Sequence, residues 1–279
     1  MEKRKELKKV IEDYLQQVRV LNSYGTIKAY TEQAKYIYNF LRERKIVYVD
    51  ELTRKDLEEY VLFCRNKNIC NNTINKRLNC LKRACKHAGL NITEMFFTLK
   101  VEYKTFGFLT EEETDLLIDY IVKSKMATKN KLLVLLALES GARKKELLEI
   151  KVSNIDKNNE IIFLDYTKEK RPRFICYGKL TKFYLDEVIA SCKDDYLFDI
   201  SSNSFGLIFK RIKKTLNLKK FSAYVLRHTY ATILINNNGN LNMIMVTMGH
   251  KNIATTQRYL HYNTKLISTE YKKGFKIVF

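Results

Sequence analysis

The sequence predicts a mainly α-helical chain with one small β-sheet, an α+β fold in two domains. Three observations predict it. The 279 residues hold one Pro and nine Gly, so little interrupts a helix over long stretches. Apolar residues recur at helical spacing along most of the chain, and a single stretch near 161–177 reads as strands instead. The length suits two domains, each large enough to bury its own core.

Residues 1–100 read as helices only. Val10, Tyr14, Leu15 and Val18 recur on one face of the first. A second helix follows Thr26, with Ile27, Tyr30, Ala34, Ile37, Tyr38 and Leu41 on one side. Thr53 precedes RKDLEEYVLFC, and Asp56 three residues on makes a relative of a capping box. Asn72 or Thr73 opens the fourth helix, whose stripe is Ile74, Leu78, Leu81 and Ala84, and Gly89 terminates it. The outer faces of the last two helices are expected to carry Arg65, Lys67, Lys76, Arg77, Lys82, Arg83 and Lys86. The segment around 98–108 has no helical stripe and carries Gly107; its part 101–108 is assigned as the linker to a second domain, 109–279.

The second domain opens with the capping box Thr110-x-x-Glu113. LLVLLALES, 132–140, is apolar on nearly every side and is expected in the core, ending at Gly141. Ile161–Leu164 forms one strand and Arg173–Tyr177 another, with TKEKRP as the turn between them. Helices follow near 179–191, 203–217, 222–236, 240–248, 252–262 and 264–273. The final GFKIVF leaves Phe275, Ile277, Val278 and Phe279 to pack on their own chain or on a neighbouring subunit.

Fifty-one Lys and Arg against 31 Asp and Glu give a net charge of +20. Such an excess points to a polyanionic partner, nucleic acid first and an anionic membrane surface second, or else to a solvated Lys-rich surface. A 46% hydrophobic content excludes a disordered basic tail. No apolar run approaches the ~18 residues that read as a membrane span, and the charged N-terminus lacks a signal peptide's apolar core. A cytoplasmic, reducing location is expected. The six Cys form no CxxC pair and no His stands at zinc spacing from them, so neither a disulfide framework, a metal site nor a cofactor is expected; Cys80 and Cys85 read as small buried hydrophobes.

The residues suited to chemistry lie in the second domain. Arg227 and His228 sit among the apolar residues Val225, Leu226, Ala231, Ile233 and Leu234, and a cation on a buried face needs an anionic partner or ligand. Taken alone, Arg227 is as well explained by a structural carboxylate partner. Arg143 stands at the mouth of the apolar helix with Glu146 three residues on to orient it, or as a surface ion pair. His250 follows Met248-Gly249 at a helix end, where His commonly serves as a cap.

The combination carries a resemblance. Ser140-Gly141-Ala142-Arg143-x-x-Glu146-Leu147 resembles the first motif of the tyrosine recombinase (phage integrase/Xer) family. Leu226-Arg227-His228-Thr229-Tyr230-Ala231-Thr232 resembles the second. Met248-Gly249-His250 with Thr255-Thr256-Gln257-Arg258-Tyr259 resembles the third, which ends in the family's nucleophilic Tyr. Lys168 falls where the family keeps a β-hairpin Lys. TIKAYTEQAKYIYNFL and TINKRLNCLKRACKHAG resemble the family's N-terminal SAM-like core-binding domain, and FLTEEETDLLI the start of its catalytic domain, so the likeness covers nearly the whole chain. One position departs: the family's usual His-x-x-Arg is Tyr224-x-x-Arg227 here. That Tyr is itself a resemblance to archaeal integrase-like members; a decayed enzyme is the alternative.

The chemistry of these residues fits the resemblance. The guanidiniums of Arg143 and Arg227 can grip the non-bridging oxygens of a phosphodiester and stabilise the charge of its transition state. The phenol of Tyr259 can attack phosphorus and form a covalent intermediate. Lys168 suits a general acid for the departing 5′-oxygen, and His250 a hydrogen-bond donor to the phosphate. Tyr224 either donates to the phosphate or simply packs. The resemblance implies a 3′-phosphotyrosyl link, religation without ATP, double-stranded DNA carrying a specific recombination site as partner, and a homotetramer on DNA from a free monomer or dimer. The implied function is site-specific recombination, for integration, excision or chromosome-dimer resolution. A type IB-like topoisomerase and a non-catalytic DNA-binding protein on the same fold are the alternatives.

Overall fold

A computed structural model describes residues 4–101, 107–165, 173–192, 194–237, 239–250 and 252–257. The chain divides into two compact units, Met1–Tyr103 and Lys104–Phe279.

The first unit is helical: α1 (Leu7–Leu21), α2 (Tyr24–Glu43), α3 (Arg54–Asn66) and α4 (Asn71–His87), with single turns of 3₁₀-helix at Val49–Glu51 and Thr93–Met95. Leu7, Ile37, Leu41, Leu57, Tyr60, Ile74 and Leu81 close its core completely. Each such side chain contributes about 1.5–3 kcal/mol of burial. α2 begins at Tyr24, before the predicted Thr26; Ser23 takes the extended N-cap conformation, with its hydroxyl 3.3 Å from Thr26 Oγ1. α3 starts as the capping box requires: Asp56 N donates to Thr53 Oγ1 at 3.3 Å, and Thr53 N to Asp56 Oδ2 at 2.8 Å. The chain after α4 is tied back to it, since Asn75 pairs both ways with the backbone of Leu99, at 2.8 and 2.9 Å.

One of the basic residues expected outside is inside. Arg77 is buried, its guanidinium 4.1 Å from the Tyr36 ring centroid and its Nη1 3.3 Å from Tyr60 Oη. Its place among Ile74, Leu78 and Leu81 on α4 puts it on the core face, and the aromatic π-faces offset part of its desolvation.

The second unit runs α5 (Glu111–Lys123), α6 (Thr128–Glu139), α7 (Lys144–Leu148), β1 (Ile155–Asp156), β2 (Ile161–Leu164), β3 (Arg173–Cys176), α8 (Lys179–Ser191), α9 (Ser202–Thr215), α10 (Ala223–Asn236), α11 (Leu241–Met248) and α12 (Ile253–Gln257). The strands form one antiparallel sheet in the order β1-β2-β3, with Ile162 opposite Ile175 and Leu164 opposite Arg173. β1 adds a strand to the expected pair; two residues are too short to show alternation. α6 is the centre of the core, with Leu132 through Ala137 buried on every side. The helix expected near 252–262 is described to Gln257; the one near 264–273 and the final GFKIVF lie outside the described residues. All six Cys are free thiols, and Cys80 and Cys85 are buried. Among the described residues no helix is long and apolar enough to cross a membrane.

Candidate active site

Three elements of the second unit bring their arginines to one helix end. Arg143 is the N-cap of α7. The turn before it is closed by Ser140, whose Oγ donates to Leu136 O at 2.5 Å and accepts from Ala142 N at 3.1 Å. Gly141 fits this turn because the Tyr230 ring lies against it; a Cβ there would be 2.5 Å from the ring. Arg227 comes from the buried face of α10, which Ser222 caps by accepting from Val225 N at 3.2 Å. Arg173 opens β3.

Each arginine donates to one of three consecutive carbonyls at the C-terminus of α11. Arg173 Nη1 bonds Thr247 O, Arg227 Nη2 bonds Met248 O at 2.5 Å, and Arg143 Nη2 bonds Gly249 O at 3.0 Å. These carbonyls are the orphan acceptors and negative dipole end of a helix, so cations suit them twice over. Arg227 Nη1 also bonds Gly141 O, which ties α10 to the turn before Arg143. Glu146 is 2% exposed and lies between two guanidiniums: Oε1 is 2.9 Å from Arg143 Nη1, and Oε2 is 2.6 Å from Arg173 Nη2. The same Oε2 accepts from Arg143 N at 2.7 Å. Burial pushes the Arg173 guanidinium below its ordinary range, and Glu146 opposes that shift.

His250 follows directly. Gly249 takes a left-handed conformation, φ +62° and ψ +49°, and His250 N reaches back to Met245 O at 2.9 Å, closing α11 in the manner of a Schellman turn. The imidazole then stands among cations. Its pKa is lowered to about 4, first by burial and then by Arg227, Arg143, His228 and Arg173. His250 is therefore neutral at physiological pH, with one ring N–H to donate. Its Nδ1 lies 2.8 Å from Thr256 Oγ1, on the buried side of α12.

The structure thus brings together Arg143, Arg227 and His250. Tyr224 is on the same helix as Arg227 but is 61% exposed; its ring meets His228 edge-on, with centroids 4.2 Å apart. Lys168 and Tyr259 lie outside the described residues, as does Tyr262, which stands three residues after Tyr259 in the sequence and competes with it for the nucleophile role. Arg173 and Thr256 are residues that the sequence reading did not single out. The signal for Arg173 was present: alternation in β3 puts it on the same face as the fully buried Ile175. Thr256 was quoted within the third motif, but nothing there gave it a role of its own.

An arrangement of this kind can seat an oxyanion such as a phosphate group, with guanidiniums on its sides and a neutral N–H donor beside them. Among the described residues no cluster of three or more His, Cys, Asp or Glu is placed to hold a metal ion.

Comparison with known proteins places the chain as follows. The family model described as Phage integrase family matches residues 107–265, and that described as Phage integrase SAM-like domain matches residues 6–91. A probable integrase/recombinase of Acholeplasma phage L2 is 29% identical over 255 residues, covering 86% of this chain and 88% of the relative. Tyrosine recombinase XerA of Saccharolobus solfataricus is 27% identical over 265 residues, covering 90% and 87%. Among solved structures, the Tn1549 transposon integrase in complex with a circular intermediate DNA superposes with a TM-score of 0.76 at 20% identity, over 97% of this chain and 100% of that one. The lambda integrase tetramer bound to a Holliday junction gives 0.77 at 17% identity, over 92% and 78%.

Proposed function

The chain belongs to the phage integrase family, the tyrosine recombinases, and from that premise we propose how its residues cleave and rejoin DNA at specific sites. It is an enzyme of site-specific recombination. Tyr259 is the nucleophile. Its phenol gives up its proton to solvent as the oxygen forms a bond to the scissile phosphorus and the bond to the 5′-oxygen breaks, leaving a 3′-phosphotyrosyl link and a free 5′-hydroxyl. Lys168 gives its proton to the departing 5′-oxygen. A 5′-hydroxyl from another strand then attacks the phosphotyrosine and restores a phosphodiester, so the bond energy is conserved and no ATP is consumed.

Arg143 and Arg227 hold the non-bridging oxygens and stabilise the extra negative charge of the pentacoordinate state. The observation that carries this reading is their convergence, with His250, on the C-terminus of one helix. Held by carbonyls and by Glu146, they need little reorganisation when the phosphate arrives. His250, neutral, donates a hydrogen bond to the phosphate. Tyr224, exposed one helical turn before the buried His228, presents its hydroxyl as a further donor. The basic first unit, 1–100, binds the DNA backbone, and 109–279 carries the chemistry, with 101–108 between them.

The partner is double-stranded DNA with a specific recombination site, and the working assembly is a tetramer. The lambda integrase tetramer on a Holliday junction supports that assembly. The protein works in the cytoplasm, where its substrate is. The test is strand exchange between two duplexes that carry the DNA flanking the gene. Recombinant products with no added ATP are expected. Relaxation of supercoils without exchange would instead indicate a topoisomerase.

A further inference from the structure

We infer that Arg173 is a positioning residue for strand cleavage, whose work is to cancel the charge of Glu146 so that Arg143 remains available to the scissile phosphate. This rests on the reading of Arg143 and Arg227 as the phosphate clamp.

The argument starts from Glu146. A carboxylate 2% exposed next to a phosphate site is a liability for anion binding. With Arg143 as its sole counter-ion, it would draw that guanidinium into a closed pair and offset its charge. The structure supplies a second cation. Arg173 Nη2 lies 2.6 Å from Glu146 Oε2, closer than Arg143 Nη1 lies to Oε1, at 2.9 Å. The Arg173 side chain is 6% exposed against 27% for Arg143. Glu146 is thus shared: the buried cation takes Oε2 and offsets the charge, and the more exposed Arg143, paired through Oε1, faces the solvent side, where a phosphate arrives.

Arg143, Arg173 and Arg227 with Glu146 form three cations and one carboxylate, a net formal charge of +2. A DNA phosphodiester carries about −1 in the ground state and approaches about −2 as the nucleophile adds. The site therefore matches the transition state better than the substrate. Without Arg173 the net charge is +1, which suits the ground state. Its loss acts on the rate more than on affinity. Arg173 is assigned a positioning role because both of its terminal nitrogens are bonded within the protein, to Glu146 and to Thr247 O.

The experiment uses the full chain, a 5′-labelled nicked suicide duplex carrying the DNA that flanks the gene, and single-turnover cleavage measured beside DNA affinity. Arg173→Met is expected to slow cleavage about ten- to a hundredfold with affinity changed less than about threefold. Arg173→Met with Glu146→Gln restores the net charge of +2 and is expected to cleave faster than Arg173→Met alone. Arg173→Lys keeps the charge and is expected to recover most of the lost rate, and it covers the case in which Arg173→Met does not fold. A purely structural role predicts the reverse: the double variant slower still, and Lys no better than Met. Native cleavage by Arg173→Met, or a double variant no faster than the single one, overturns the inference. Arg143→Ala is run alongside. If it cleaves normally, the clamp reading fails and takes this inference with it; if Arg143→Ala is inactive while Arg173→Met is unimpaired, this inference alone fails.

Discussion

Replacing Gly249 with Ala presses on the joint that holds the site together. Gly249 has a φ of +62°, and a Cβ there would lie 3.0 Å from Arg173 Nε and 3.1 Å from its Cδ. Two terms add. An L-residue in the left-handed region costs about 1–2 kcal/mol. The methyl also overpacks against a side chain that cannot yield freely, because Glu146 and Thr247 O hold it; overpacking of this kind costs about 1–3 kcal/mol. The sum is about 2–5 kcal/mol, which lowers the melting temperature of a domain of this size by about 4–20 °C. Gly89→Ala is the control. Gly89 has a φ of +74°, and nothing lies within 4 Å of its Cβ position, so it reports the backbone term alone. Thermal unfolding followed by circular dichroism, with each unit's transition resolved, measures both variants. Gly249→Ala should also cleave DNA more slowly, since Arg173 and Arg143 move with the carbonyls they bond. If Gly249→Ala costs no more than Gly89→Ala, the close contact with Arg173 is wrong and the reasoning fails.

Other expected outcomes follow from the same geometry. Tyr224→Phe keeps the ring against His228 and so should leave stability unchanged, but it removes a donor to a charged phosphate and should slow cleavage about ten- to a hundredfold; Tyr224→His should cleave at least as fast as wild type, and a fully active Phe variant beside an impaired His variant would refute the donor role. Arg143→Ala and Arg227→Ala should each lower the cleavage rate far more than DNA affinity, and equal losses in both would make them ordinary phosphate anchors. His250 titrates near 4 when folded and near 6.5 in its ordinary state. As pH falls through that window the unfolded chain binds a proton before the folded one, so stability present above about pH 6.5 is lost towards pH 4. After allowance for the remaining solvent screening of this partly buried ring the loss is about 1–2 kcal/mol. Urea midpoints at pH 7 and pH 5 check it: His250→Asn should flatten the slope, and an unchanged slope would contradict the assignment.

The helices were legible because their cause is local. The capping boxes at Thr53 and Thr110 fixed two starts, and the apolar run 132–138 announced a core helix. The Arg143–Glu146 pair was legible for the same reason, since three residues separate its members within one capping box. What was not legible depends on distance along the chain. Arg173 meets Glu146 across 27 positions and Thr247 across 74, and no spacing rule reaches that far. Arg77 misled because a stripe of Lys and Arg on α4 conceals which of them shares a face with Ile74 and Leu81. The clustering of three guanidiniums on one helix end is a tertiary fact: each of Arg143, Arg173 and Arg227 comes from a different element.

The central claim is that Tyr259 attacks the scissile phosphate and becomes covalently joined to DNA. The most direct measurement is denaturing electrophoresis of the protein after incubation with a 5′-labelled nicked suicide duplex, from which the broken strand cannot be resealed. Wild type should carry label into a protein-sized band, with the phosphotyrosyl peptide containing Tyr259. Tyr259→Phe should bind the same duplex and give no labelled band. A labelled band from Tyr259→Phe, or its disappearance in Tyr262→Phe instead, would contradict the account.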